Sequence, residues 1–304
     1  MREYDPPVHV VRALVSAALA EDIGPLGDLT AVLVPAEATA TVDVVARVDG
    51  VIAGTACATE VFAQLDPRVA VAWLVEDGEA VGRGAKLGEV SGPLRSVLTG
   101  ERSALNFLCH LSGVASLTRK FVEAAGPTAR IWDTRKTLPG LRAVEKAAVR
   151  AGGGMNHRGS LSEFVLVKDN HLAGTGITAA VRRARELWPG RTVEVECDGL
   201  EQVAEAAGAG ADVVLLDNMD PAQVEEAVAV AHLGATGRIL TEVSGGVTLA
   251  TIGAYAAAGP DRISVGALTH SAAVLDLGLD LIWTAPGNER EGERALEDER
   301  ASGH

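Results

Sequence analysis

Aromatic residues are nearly missing from this chain of 304 residues, where Trp, Tyr and Phe together supply 3%. Ala, Val and Gly take their place, a composition suited to helices packed closely on a parallel sheet. Cysteine is as scarce. Cys57, Cys109 and Cys197 stand far apart, with no CxxC pair and no histidine at ligand spacing, which argues against a disulfide framework and a structural zinc site. No apolar run is long enough to span a bilayer, and the opening MREYDPPVHV lacks the basic-then-apolar pattern of a secretory signal. These features predict a reducing, cytoplasmic setting with no membrane partner. Positive charge is in deficit as well. With 27 Lys and Arg against 41 Asp and Glu, net −14, the chain lacks the basic surface that binds nucleic acid by counterion release.

The deficit is uneven. Between Arg102 and Lys168 eleven basic residues face four acidic ones, so an acidic protein carries one locally basic segment. Solvated helix faces would account for it, and so would a site for a small polyanion.

Hydrophobic periodicity divides the chain. Val11, Leu14, Val15, Ala18 and Leu19 fall at helical spacing. Over 40–90 the period shortens, and TVDVVARV, VIAG and VAVAWLV with turns at Asp77-Gly78 and Gly82–Gly84 read as short strands of a small α/β domain on an antiparallel sheet. Within it VEDGEAVGRGAKLGEV resembles the hammerhead turn of biotinyl and lipoyl domains, but Lys86 lacks the tip position a carrier lysine needs. After Glu101 the chain turns helical. Six short apolar strands then recur at 130–134, 164–169, 192–196, 212–217, 238–245 and 262–266, with helices expected near 174–188, 200–208, 221–233 and 248–258. Repeated βα units mean a parallel sheet. Every strand ends on polar chemistry, as expected where all C-terminal ends converge on one barrel mouth rather than at one switch point of an open sheet. The expected domains are 1–112, with 272–288 a candidate to join it, a barrel over 113–271, and a disordered tail over 289–304.

Four constellations carry chemistry. DTRKTLPGLR sets Arg135 and Lys136 just past a strand, a guanidinium fork and a compact charge suited to carboxylate or phosphate. Gly152–Gly154 either cap a helix or let backbone approach a ligand, and His157, Arg158, Lys168 and His171 follow. Glu196 and Asp217 end consecutive strands, where they suit Mg²⁺ or serve as plain partners for Lys136 or Lys168. Ser244–Gly246 and Val265–Ala267 are small residues before expected helices, a phosphate cradle or simply tight turns.

In that order the motifs EDIGPLGDLT, ERSALNFLCHLSGVAS, DTRKTLPGLR, EKAAVRAGGGMNHRGSL, VKDNH, VEVEC, LLDNM, EVSGG and SVGALTHS resemble the quinolinate phosphoribosyltransferase family, the decarboxylating nicotinate-nucleotide pyrophosphorylases, over nearly the whole chain. The resemblance implies an N-terminal α/β sandwich, an incomplete (β/α) barrel, and a homodimer that shares its active sites. It implies quinolinate and phosphoribosyl pyrophosphate as substrates, with Mg²⁺. It assigns Arg102 to the neighbouring subunit's site, Arg135, His157, Arg158 and Lys168 to quinolinate, and Thr134 to substrate binding. Lys136 falls near the pyrophosphate, Glu196 and Asp217 face the ribose and metal, and Ser244–Gly246 with Val265–Ala267 hold the 5-phosphate. Catalysis is assigned to Lys136, Glu196 and Asp217. Rival readings are a related transferase acting on nicotinate, an aldolase using Lys168, and a non-catalytic carrier.

Overall fold

The helical spacing near the start forms α1 (Val8–Asp22), which buries Val11, Val15 and Leu19 at intervals of four. A computed structural model describes residues 5–172, 174–232 and 239–282. The expected tail therefore lies outside the described residues. Strict alternation over β1 (Thr39–Ala46) buries Val42, Val44 and Ala46 on one face. β2 (Gly50–Val51), β3 (Ala70–Trp73), β4 (Ala80–Val81) and β5 (Lys86–Pro93) complete the antiparallel part. Lys86 lies in β5, paired to Asp43 at 2.8 Å and to Glu89, which is no place for a swinging arm.

One helix was not expected, between the VIAG and VAVAWLV stretches. After Gly54, α2 (Thr55–Leu65) buries Cys57, Ala58, Val61 and Phe62, positions four residues apart that the apolar run before them conceals. α3 (Leu94–Ala125) then runs for 32 residues, starting seven before the expected helix and joining both halves of the molecule. Its buried stripe continues from Val97 to Phe121. At Gly113 a side-chain carbon would stand 2.2 Å from the Ala273 carbonyl, so only glycine admits the returning chain. That return ends in β12 (Leu277–Ile282), which pairs antiparallel with β1 and gives the first sheet the order β12-β1-β5-β3.

The six expected strands form one parallel sheet, β6 (Arg130–Trp132), β7 (Val165–Val167), β8 (Val193–Cys197), β9 (Val213–Asp217), β10 (Leu240–Ser244) and β11 (Arg262–Ser264), in the order β6-β11-β10-β9-β8-β7. Both faces of β9 are buried, hence its nearly continuous apolar sequence, whereas β8 is buried with Glu194 inside it. Between them run α4 (Arg142–Ala151), α5 (Ile177–Leu187), α6 (Leu200–Ala209), α7 (Pro221–His232), α8 (Ile252–Ala257) and α9 (Ala267–His270). The edge strands β6 and β7 follow one another in the chain, so strand pairing does not close the ring among the described residues. The sheet curls nonetheless. Side chains from β8 and β10, two positions apart, both reach His157 Nε2, at 3.2 and 3.3 Å. All six strands point the same way, which gathers their C-terminal ends on one rim.

Candidate active site

The segment after β6 is pinned by its backbone while its long side chains are left over. Thr134 Oγ1 accepts the Lys136 amide at 2.9 Å, and Thr269 Oγ1 donates to the Lys136 carbonyl at 2.8 Å. Arg135 Nε is sealed from solvent without a hydrogen-bond partner. A buried unpaired donor is costly, and proteins keep one where a ligand completes it. Facing it is Arg158, 9% exposed, whose guanidinium donates to the Phe164 carbonyl at 3.2 Å and lies 5.5 Å over that ring. Burial first, then the neighbouring Arg135 cation, push the Arg158 pKa below the usual arginine value. Two like charges held together in a partly dry place form a receptor for anions.

Lys136 lies against the end of β11, the strand paired with β6. Its Cδ would lie 3.0 Å from a side-chain carbon on Gly266, so the ammonium stem rests against the Val265–Ala267 segment. Gly266 opens directly into α9. Gly246, by contrast, is separated by a turn from α8, which begins at Ile252 rather than near 248. Gly245, at φ 103°, would place a side-chain carbon 2.2 Å from Asn218 Oδ1, and only glycine fits. Register sets Ser244 opposite Asp217. Asp217 accepts one bond, from Asn218 Nδ2 at 2.7 Å, and keeps its other oxygen without a protein partner among the described residues. Glu196 is instead ion-paired with Lys168. Arg102 is set apart from this assembly. It is exposed on α3, eight residues or about 12 Å of helix before His110, where α3 meets α4.

Beneath the rim lies a cluster that strand periodicity could have revealed, since Glu194 shares a face with Glu196 and Glu242 with Ser244. Glu194 and Glu242 are fully buried, and His157 nearly so. Their ligand atoms lie within 4.8 Å of one another, the closest approach to a metal-ligand set among the described residues. Within it, Arg262 approaches Glu242 at 3.6 Å and Ser264 donates to Glu242. Both Glu194 oxygens, Glu242 Oε2 and His157 Nε2 nonetheless have no hydrogen-bond partner, and burial pushes the His157 pKa down.

Two family models match in sequence order, "Quinolinate phosphoribosyl transferase, N-terminal domain" over residues 28–112 and the C-terminal domain over 114–280. The chain belongs to the quinolinate phosphoribosyltransferase family. It is 43% identical to the nicotinate-nucleotide pyrophosphorylase [carboxylating] of Mycobacterium leprae, over 91% of this chain and 99% of that one. With the chloroplastic enzyme of the same name from Arabidopsis thaliana it shares 40% identity, covering 90% of this chain and 84% of that. Its fold is similar to the solved nicotinate-nucleotide pyrophosphorylase of Francisella tularensis, with a TM-score of 0.86, 39% identity and coverage of 92% and 99%. Family membership makes the protein a decarboxylating pentosyltransferase.

The buried acids of this family member give a pH signature. Desolvation pushes both Glu194 and Glu242 up to about 7, and for Glu242 the Glu194 charge adds to it. Each folded-state value lies above the unfolded one, so stability is full below about pH 4.5 and declines as pH rises through 7. The decline is on the order of 3 kcal/mol per group. Glu194→Gln, which cannot ionise, is expected to flatten the fall in Tm between pH 5 and 8. Thermal unfolding across that range checks it, and parallel curves for the two proteins would show Glu194 ionised throughout.

Proposed function

We propose that this site joins quinolinate to phosphoribosyl pyrophosphate, yielding nicotinate mononucleotide, pyrophosphate and CO₂ in de novo NAD synthesis. The observation that carries it is the sealed, partnerless Nε of Arg135 beside Arg158, two guanidiniums for two ring carboxylates. His157, at their base, and Thr134 complete that end. The pyridine nitrogen forms its bond to ribose C1 as the C1–oxygen bond to pyrophosphate breaks, through an oxocarbenium-like state. Lys136 neutralises the leaving charge, and the Glu196 and Asp217 carboxylates favour the cationic sugar. Ser244–Gly246 and Val265–Ala267 receive the 5-phosphate. The electron pair of the breaking carbon–carboxylate bond then stays on the ring carbon, stabilised by the adjacent positive nitrogen, and takes a proton as CO₂ departs. The protein's contribution is placement and charge.

Asp217, with its unspent oxygen, fits Mg²⁺, whereas Glu196 is committed to Lys168. An ion held there would supply positive charge against the departing pyrophosphate. We further propose a homodimer whose mouths each receive Arg102 from the neighbour. In its favour are the distance of Arg102 from its own rim and the exposed Leu161, Leu187 and Trp188, which line one groove with Arg158. A cytoplasmic location accords with three unpaired thiols.

Purified protein with phosphoribosyl pyrophosphate, Mg²⁺ and carboxyl-labelled quinolinate is expected to release CO₂ and nucleotide in equal amounts. Nicotinate in place of quinolinate is expected to give no nucleotide. Product from nicotinate alone would overturn the substrate assignment.

A further inference from the structure

Arg142 belongs to the basic segment, yet each of its three guanidinium nitrogens already bonds a protein oxygen. Nε donates to Thr137 Oγ1 at 3.1 Å, Nη1 to the Gly159 carbonyl at 3.0 Å and Nη2 to the Arg135 carbonyl at 3.3 Å. Those acceptors lie on two different loops. Arg135 and Thr137 follow β6, and Gly159 directly follows Arg158. One rigid planar cation thus ties together the backbones that carry both substrate-facing arginines.

One turn along α4, Glu145 completes the hold. It is fully buried, accepts the Leu138 amide at 3.1 Å through Oε2, and meets His110 Nε2 at 2.8 Å through Oε1. His110 stands on α3, so the loop after β6 is anchored through Glu145 to the longest helix of the fold. Residues 142 and 145 share a helix face, which directs both side chains at the same loop. With the Thr134 and Thr269 contacts, every residue from Arg135 to Leu138 is fixed by at least one bond to its backbone or side chain. The side chains of Arg135 and Lys136 are the parts of this stretch that make no ion pair among the described residues.

We infer that Arg142 and Glu145 are positioning residues, which set the spacing and aim of Arg135 and Arg158 before substrate arrives. Neither touches substrate. Two guanidiniums repel one another, and without the clamp the two loops would relax apart and meet the ring carboxylates only at the cost of reordering. A displacement of about an ångström at such a site costs on the order of 100-fold. The inference rests on the substrate reading above, and its test separates the two.

Arg142→Lys keeps the charge but cannot span three acceptors, and Thr137→Val removes a single contact. Steady-state kinetics of Arg142→Ala, Arg142→Lys, Glu145→Gln and Thr137→Val would be measured well below each variant's Tm. We expect Arg142→Ala and Arg142→Lys to raise KM for quinolinate roughly 10- to 100-fold, with kcat within about threefold. Thr137→Val should give a smaller rise. In the ligand-free proteins, amides over 134–141 should exchange hydrogen faster than in wild type, while those of β8 and β9 do not. If Arg142→Ala fails to fold, Arg142→Lys and Thr137→Val carry the test. Unchanged KM and unchanged local exchange in the folded variants, with only a lower Tm, would overturn the inference. Absence of wild-type turnover would overturn the substrate reading instead, and the exchange measurement then decides the clamp alone.

Discussion

Replacing Arg135 by Ala is expected to abolish useful quinolinate binding while leaving the empty protein as stable as before, or more so. Removing one partner of a desolvated charge pair costs about 2–5 kcal/mol. That is roughly 30-fold to several-thousand-fold in affinity. The stability half of the expectation comes from the sealed Nε, which has no protein partner to lose. A buried donor without a partner opposes folding, so its removal relieves a penalty. Arg158→Ala should lose affinity to a similar degree but should also lower Tm, because its guanidinium bonds the Phe164 carbonyl and covers that ring. Calorimetric titration with quinolinate and thermal unfolding of both variants check the pair. If Arg135→Ala keeps wild-type affinity, the cationic site lies elsewhere. A fall in its Tm like that of Arg158→Ala would mean that Arg135 is part of the scaffold.

The contrast between these two arginines shows what could be read in the sequence. Buried parallel strands advertise themselves, since VEVEC and VVLLD are apolar throughout except where an acid faces the interior or the rim. The six strands, the polar residue at each end and the helices between them therefore follow from pattern alone. What pattern could not supply is pairing across the fold. Glu196 read equally as a metal ligand or as a partner for Lys136 or Lys168, and only the third dimension selects Lys168. Glu194 was legible in principle, one period-2 step before Glu196, but an acid inside a strand gives no sign of meeting a histidine from another loop. α2 was lost to the preceding VIAG run, because a short apolar stretch before a helix obscures the change of period. Arg142 was counted among the basic residues without a role, since a guanidinium bonded to three backbone or hydroxyl oxygens looks no different in sequence from one awaiting a phosphate.

Arg102 is where local sequence and local structure both fall short, and there a mixing experiment is expected to restore activity from two inactive proteins. The residue is exposed on α3 and makes no ion pair among the described residues, so a local partner on its own helix does not explain it. The path to its own rim is long. From Arg102 the helix runs about 12 Å to His110, whose Glu145 contact marks the nearest part of the cationic loop. A two-fold dimer removes the difficulty, because each α3 then presents Arg102 to the other mouth, reciprocally. Arg102→Ala and Arg135→Ala homodimers should each be inactive. In a heterodimer, the Arg102→Ala subunit has an intact barrel and receives an intact arginine from its partner, so one of the two sites is whole. The other site carries both losses. Random exchange in an equal mixture makes half of the dimers heterodimers, and so recovers roughly a quarter of wild-type activity. Exchange can be followed independently with distinguishable tags, and CO₂ release from quinolinate reads the activity. Complete exchange with no recovery would mean that Arg102 serves its own subunit or no substrate at all. Residual activity of the Arg102→Ala homodimer equal to wild type would identify it as an ordinary surface arginine, worth about 0–1 kcal/mol.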